Sequence, residues 1–175
     1  MALEIERRFL IRQDGWRRHI RWSRRLAQGY LSARSDGFTL RVRLAEGERA
    51  WLTLKAAPPA VVESEALVRQ EFEYSIPPQD AEALLALAPW QLGKCRHGLD
   101  LPGGDWVVDV FEGANAPLVV AEVELSGPTT PLEIPAWCGP EITGRHELSN
   151  AALARRPLAD WSEAERKELL GSVMP

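Results

Sequence analysis

Charge falls on every second residue, in like-signed pairs, at several places in this chain, four of them in strand-like stretches: Glu4 and Glu6, Arg41 and Arg43, Lys94 and Arg96, Glu122 and Glu124. In an extended strand, residues i and i+2 point to one face, so each pair drives two equal charges into a shared space. Such pairs repel. A cation between two carboxylates, or an anion between two basic groups, removes the penalty. A chain carrying pairs of both signs therefore points to a polyanion held together with a metal ion, which is a phosphate site.

The alternation runs beyond the pairs. EIERRFLIR sets Glu4, Glu6 and Arg8 against Ile5, Phe9 and Ile11, with Arg7 as the exception. FTLRVRLA sets Arg41 and Arg43 against Phe38, Leu40, Val42 and Leu44, and WLTLKA sets Thr53 and Lys55 against Leu52 and Leu54. RQEFEYSI opposes Arg69, Glu71 and Glu73 to Phe72, Tyr74 and Ile76, and VVAEVELS opposes Glu122 and Glu124 to Ala121, Val123 and Leu125. Each reads as a half-buried strand. A solvated sheet face is the ordinary cause of such a pattern. An idle face mixes its signs, however, because opposite charges across strands attract and like charges repel. Here the signs segregate by strand, and the basic set is rich in arginine, whose planar fork suits phosphate. A closed antiparallel sheet with a charged interior satisfies the pattern.

At 175 residues and 45% hydrophobic content, the chain suits one α+β domain over residues 1–175 with a substantial core. A net charge of −4 argues against a surface that coats nucleic acid, so the basic groups are expected to be concentrated locally. No apolar run approaches the roughly 18 residues of a membrane span, and the first strand is charged. The chain reads as cytoplasmic, with no membrane partner. Cys95 and Cys138 lack CxxC spacing and read as free thiols. His19, His97 and His146 show no ligand spacing, so any metal must be held by carboxylates.

Helices are expected between the strands. DGWRRHIRWSRRLA, residues 14–27, puts Trp16, Ile20 and Leu26 on one side and five arginines elsewhere, a basic amphipathic helix. In PPQDAEALLALAPW, Pro77 and Pro78 open a helix, Asp80 and Glu82 suit its positive end, and Pro89 closes it. Ser162 with Glu165 three residues later forms a capping box for a last helix to about Leu170.

Taken in order, the motifs resemble those of the CYTH superfamily, the triphosphate tunnel metalloenzymes. The family opens on ExExK, and this chain reads EIERR, with Arg8 where Lys is expected. QGYL at 28–31, RVR at 41–43, TLK ending at Lys55, EFEY at 71–74 and KCR at 94–96 follow in the family's order. WVVDVFEG at 106–113, AEVEL at 121–125 and EIT at 141–143 complete the series. The resemblance implies an eight-stranded antiparallel β-barrel, a triphosphate tunnel with flanking helices. It implies metal ligands at Glu4, Glu6, Glu122 and Glu124, with Asp109 as a supplement and Glu71 and Glu73 as further candidates, binding Mg²⁺ or Mn²⁺. Arg8, Arg41, Arg43, Lys55, Lys94 and Arg96 become the phosphate cradle. Glu73 becomes a carboxylate that orients the attacking water, and Tyr30 a polar group beside it.

The chain departs from the family in three places. Arg8 binds phosphate as Lys would but gives up no proton. GRHELSN replaces the usual aromatic and acidic residues near the C-terminus with Arg145, His146 and Leu148, and His97 replaces an aromatic after the KxR pair, at one expected mouth. The activity implied is metal-dependent hydrolysis of a triphosphate, inorganic tripolyphosphate above all. A class IV adenylate cyclase, a thiamine triphosphatase and a non-catalytic polyphosphate- or nucleotide-binding module stay open, as does a homodimer.

Overall fold

The computed structural model describes residues 3–46, 49–58 and 64–171. Among the described residues nine strands form one antiparallel sheet: β1 (Leu3–Ile11), β2 (Ile20–Ala33), β3 (Thr39–Ala45), β4 (Arg49–Ala56), β5 (Leu67–Ile76), β6 (Trp90–Leu99), β7 (Asp105–Phe111), β8 (Val119–Glu124) and β9 (Cys138–Glu141). Their order is β5-β4-β3-β2-β6-β7-β8-β1-β9, and β5 also pairs with β1. That pairing closes eight of them into a barrel, as the alternation requires. β1 gives one edge to β8 and divides the other, Leu3–Glu6 to β5 and Phe9–Ile11 to β9. Arg7, out of step with the pattern, faces outward and grips Glu141 of β9 through Nε and Nη2 at 2.9 and 2.6 Å.

The inward face of each strand changes character along its length. On β1 it runs Glu4, Glu6, Arg8, Leu10, and on β8 Glu124, Glu122, Val120. One end of the lumen is therefore apolar, where Leu10, Tyr30, Phe111 and Val120 meet Leu148, Leu153, Leu158 and Trp161 from the C-terminal segment. That segment carries α2 (Asn150–Arg155), capped by the Ser149 hydroxyl, and α3 (Glu163–Gly171). The expected capping box is present: the Glu165 amide donates to Ser162 Oγ at 3.3 Å, and the Ser162 amide donates to Glu165 Oε2 at 2.7 Å. A second core, built on Phe9, Trp16, Trp106 and Trp137, covers one outer wall.

α1 (Pro78–Leu87) lies where its prolines predict and packs Ala81, Leu84 and Leu85 on Val42 and Ala50. Its close approach explains the glycine of QGYL. A Cβ on Gly29 would stand 2.7 Å from the Ala88 Cβ and 3.2 Å from Val42 Cγ1, with little freedom to yield. Gly29→Ala is expected to destabilise the fold by about 1–3 kcal/mol, the usual cost of overpacking, read as a lower midpoint of urea unfolding.

Residues 14–27 do not form the expected helix. Asp14–His19 make a short 3-10 turn and Ile20 begins β2. Arginine is a good helix former, so local propensity misleads here. Pairing decides: β2 runs against β6 from Ile20↔Leu99 to Tyr30↔Trp90 and against β3 from Leu26 onward. Trp22 also covers Gly98 of β6 so closely that a Cβ there would fall 2.1 Å from the indole.

Candidate active site

The lumen is a cavity of about 630 Å³ with charged walls. Glu4, Glu6, Arg8, Tyr30, Arg41, Arg43, Lys55, Glu73, Arg96, Glu122 and Glu124 all line it. Cross-strand register sets their partners: Arg8 lies opposite Glu122, Arg41 opposite Thr53, Thr53 opposite Glu73, Lys55 opposite Glu71, Glu4 opposite Arg69 and Arg96 opposite Asp109. Most of these carboxylates thus face a cation across strands, while Glu6 faces Glu124 and leaves two like charges opposed.

On one wall Arg96 Nη2 donates to Glu122 Oε2 at 2.5 Å, and Arg8 Nε donates to Glu122 Oε1 at 3.1 Å. Against the effect of burial, the Arg96, Lys94 and Arg8 charges hold the Glu122 carboxyl well below its ordinary range. On the facing wall Lys55 Nζ donates to Glu4 Oε1 at 2.5 Å and lies 3.2 Å from Glu71 Oε1. Glu73 accepts from Arg43 Nη2 at 2.9 and 3.0 Å, from Thr53 Oγ1 at 2.8 Å and from Arg41 Nη2 at 3.4 Å. Burial, then the nearby Arg41 charge, brings the Arg43 guanidinium down to about 10.

Two predicted residues do not line the cavity. Lys94 and Asp109 are fully buried behind it, and Asp109 spends its oxygens on Lys94 Nζ at 2.5 Å and on Arg96 Nε and Nη2, each at 2.7 Å. Sequence alternation gives the face a residue points to, not its depth. Asp109 opposes Arg96 and is screened from the open lumen, so neither it nor Lys94 is placed to meet a metal or a phosphate directly. Burial also brings the Lys94 ammonium down to about 8, despite Asp109. His97 faces the other side of β6, with its Nδ1 2.7 Å from Ser23 Oγ and its ring 5.2 Å from that of Trp16. It shapes no mouth.

Other lining residues carried no assignment in the sequence. Arg69 was visible on the inward face of β5 beside Glu71 and Glu73, yet its grip on Glu4 and Glu6 follows only from the β1–β5 closure. Arg155 reaches the mouth from α2, where its Nη2 donates to the Ala33 carbonyl at 2.9 Å. No local signal in the sequence places it there. Arg145 and His146 of the GRHELSN segment also line the mouth.

The donor set suits a divalent ion. Burial, then the Glu4 and Glu122 charges, push the Glu6 carboxyl up, and among the described residues the buried Glu4 Oε2 has no hydrogen bond, only an ion-pair contact with Arg69 Nη2 at 3.0 Å. Crowded hard oxygens are what Mg²⁺ and Mn²⁺ take as ligands. Among the described residues no three such side chains yet stand in a coordinating group, since their oxygens turn toward arginine and lysine. Among the described residues, Arg8 Nη2, Arg41 Nε, Arg43 Nε and Arg69 Nε are buried donors that find no acceptor. Unpaired buried donors are costly, and four on guanidinium groups in one region call for an anion.

The site is thus a closed antiparallel barrel whose lumen is lined by inward-facing carboxylates and guanidinium groups. The CYTH domain family matches residues 2–152, and the chain belongs to that family. It is 30% identical over 165 residues to the inorganic triphosphatase of Acetivibrio thermocellus, covering 93% of this chain and 100% of that protein. The solved structure of the inorganic triphosphatase NE1496 is 32% identical, with a TM-score of 0.59 over 86% of this chain and 97% of that one. A putative adenylyl cyclase from Hippeastrum, HpAC1, described as having a dominant triphosphatase activity, shares the fold at 16% identity and a TM-score of 0.55, covering 71% of this chain and 80% of that one.

Proposed function

We propose that this chain is a divalent-metal-dependent triphosphatase that cleaves inorganic tripolyphosphate to diphosphate and phosphate. The observation that carries the reading is the set of buried guanidinium donors without acceptors, in a lumen that also holds Glu4, Glu6 and Glu122. Similarity to two inorganic triphosphatases at 30% and 32% identity supports it.

In this reading Glu4, Glu6 and Glu122 would hold Mg²⁺ or Mn²⁺, with the more exposed Glu124 at the rim. The bound ion would offset phosphate charge and make a ligated water more acidic. Arg8, Arg41, Arg43, Lys55 and Arg96 bind the phosphoryl oxygens and balance the charge that moves to the leaving diphosphate. Phosphoryl transfer asks mainly for such positioning and electrostatics. Glu73, with both oxygens taken up by Arg41, Arg43 and Thr53, aligns the arginine pair more readily than it activates water. Burial pushes the Tyr30 phenol further up, so it stays a hydrogen-bond donor at neutral pH. Asp109, itself bound by Lys94, holds Arg96 from behind. The chain acts as one unit over residues 1–175, and its two free thiols suit a reducing compartment such as the cytoplasm.

Product analysis on tripolyphosphate, ATP and thiamine triphosphate with Mg²⁺ or Mn²⁺ tests the substrate. Tripolyphosphate is expected to turn over fastest, releasing phosphate and diphosphate in equal amounts. Cyclic AMP with diphosphate from ATP would instead mean a cyclase. Metal-dependent binding with no product from any of the three would mean a binding module.

A further inference from the structure

A single nitrogen of Arg69 stands between two of the carboxylates named above. Its Nη2 donates to Glu6 Oε1 at 2.8 Å and lies 3.0 Å from Glu4 Oε2. The placement follows from the fold: β5 closes on β1 with Arg69 directly opposite Glu4, and Glu6 lies two residues further along the same face. Lys55 takes the other oxygen of Glu4, Oε1. Both oxygens of Glu4 and one of Glu6 are thus turned to protein cations. This accounts for the absence, among the described residues, of a ready group of three ligands.

One guanidinium balances half the charge of two carboxylates, whereas a divalent ion balances all of it. The two cannot bridge the same oxygens at once. The Arg69 Nε is buried and unpaired, so the side chain is not fully committed to its place. Its flexible stem allows the head, already in the lumen, to swing off the two carboxylates without movement of the backbone.

We infer that Arg69 is an internal counter-cation of the Glu4–Glu6 pair, which a divalent ion displaces and which then contributes its guanidinium to the triphosphate. The inference rests on the metal-site reading above. Metal affinity without substrate is set below what the bare carboxylates would give, because the ion must first evict Arg69. Substrate repays the displaced guanidinium with an anion, so metal and triphosphate bind more tightly together than apart.

Calorimetric titration of Mn²⁺ into chelator-treated protein, with no substrate present, tests this. If Arg69 holds the pair more than nine-tenths of the time, Arg69→Gln binds Mn²⁺ about tenfold or more tightly than wild type, because the fraction of open sites rises. Arg69→Lys, which keeps the charge, stays close to wild type, and Arg69→Gln raises KM for tripolyphosphate. Unchanged or weaker Mn²⁺ binding by a folded Arg69→Gln protein overturns the inference. Glu6→Gln separates the two levels of the argument. If it weakens Mn²⁺ binding while Arg69→Gln fails to tighten it, only the role of Arg69 falls. If wild type and Glu6→Gln bind Mn²⁺ equally, the metal-site reading falls with it. Wild-type protein supplies a second readout that needs no Gln variant to fold. The Arg69 Nε–Hε resonance shifts on adding Mg²⁺ without substrate, and its invariance at saturating Mg²⁺ contradicts displacement.

Discussion

Replacing Glu122 by Gln is expected to lower tripolyphosphate turnover by about a hundredfold or more and to raise the metal concentration needed for half-maximal rate, in the range seen when a single charge-stabilising group is lost from an active site. Glu122 stays ionised because Arg96, Lys94 and Arg8 overcome the effect of burial. Gln would turn an NH₂ group toward the Arg8 or Arg96 guanidinium, setting donor against donor where charge-assisted bonds now lie at 3.1 and 2.5 Å. It would also remove one of the three central metal ligands proposed here. Glu124 is more exposed, so Glu124→Gln is expected to cost nearer tenfold, below Glu122 in the same series. Initial rates across a metal titration check both. Equal and undiminished rates would mean that the β8 carboxylates take no part in metal binding or turnover.

The second large effect falls on Arg8. Its Nε binds Glu122, its Nη1 donates to the Leu148 carbonyl at 3.1 Å, and its Nη2 is buried and free. One side chain therefore ties β1 to β8 and to the C-terminal segment while keeping a donor for phosphate. Arg8→Ala is expected to reduce kcat/KM by about 1.5–3 kcal/mol, roughly ten- to more than a hundredfold, through loss of a charge-assisted contact. It should also lower thermal stability, because Leu148 loses its anchor and Glu122 one of its cations. Arg8→Lys keeps the charge without the fork. It is expected to stay within about tenfold of wild type, since a point charge can still meet phosphate but cannot hold two acceptors in fixed geometry. Steady-state kinetics with thermal melts separate the contributions. Full activity in Arg8→Ala would place Arg8 outside the reaction.

Much of this site can be read from alternation alone. Once a strand has period two, Glu4, Glu6 and Arg8 must share a face, and the adjacent like-signed pairs on β1, β3, β6 and β8 make a solvated outer face a poor home for them. The capping box at Ser162 and the prolines around α1 were legible for the same reason: their chemistry is local. What sequence did not disclose is set by partners distant along the chain. β2 resembles a helix until β6 and β3 pair with it. Asp109 resembles a metal ligand until its register places it against Arg96, behind the cavity. Arg69 acquires its role only when the first and fifth strands meet, and Arg155 only when α2 docks at the mouth.

The central claim is that carboxylates and guanidinium groups in this lumen act together through a divalent ion on a triphosphate. Phosphate release from tripolyphosphate, followed before and after treatment with excess chelator and again after readdition of Mg²⁺ or Mn²⁺, tests it most directly. The account predicts turnover that stops on chelation and returns with metal, because the acidic groups of the lumen otherwise oppose the polyanion. Turnover that continues unchanged in excess chelator would contradict it.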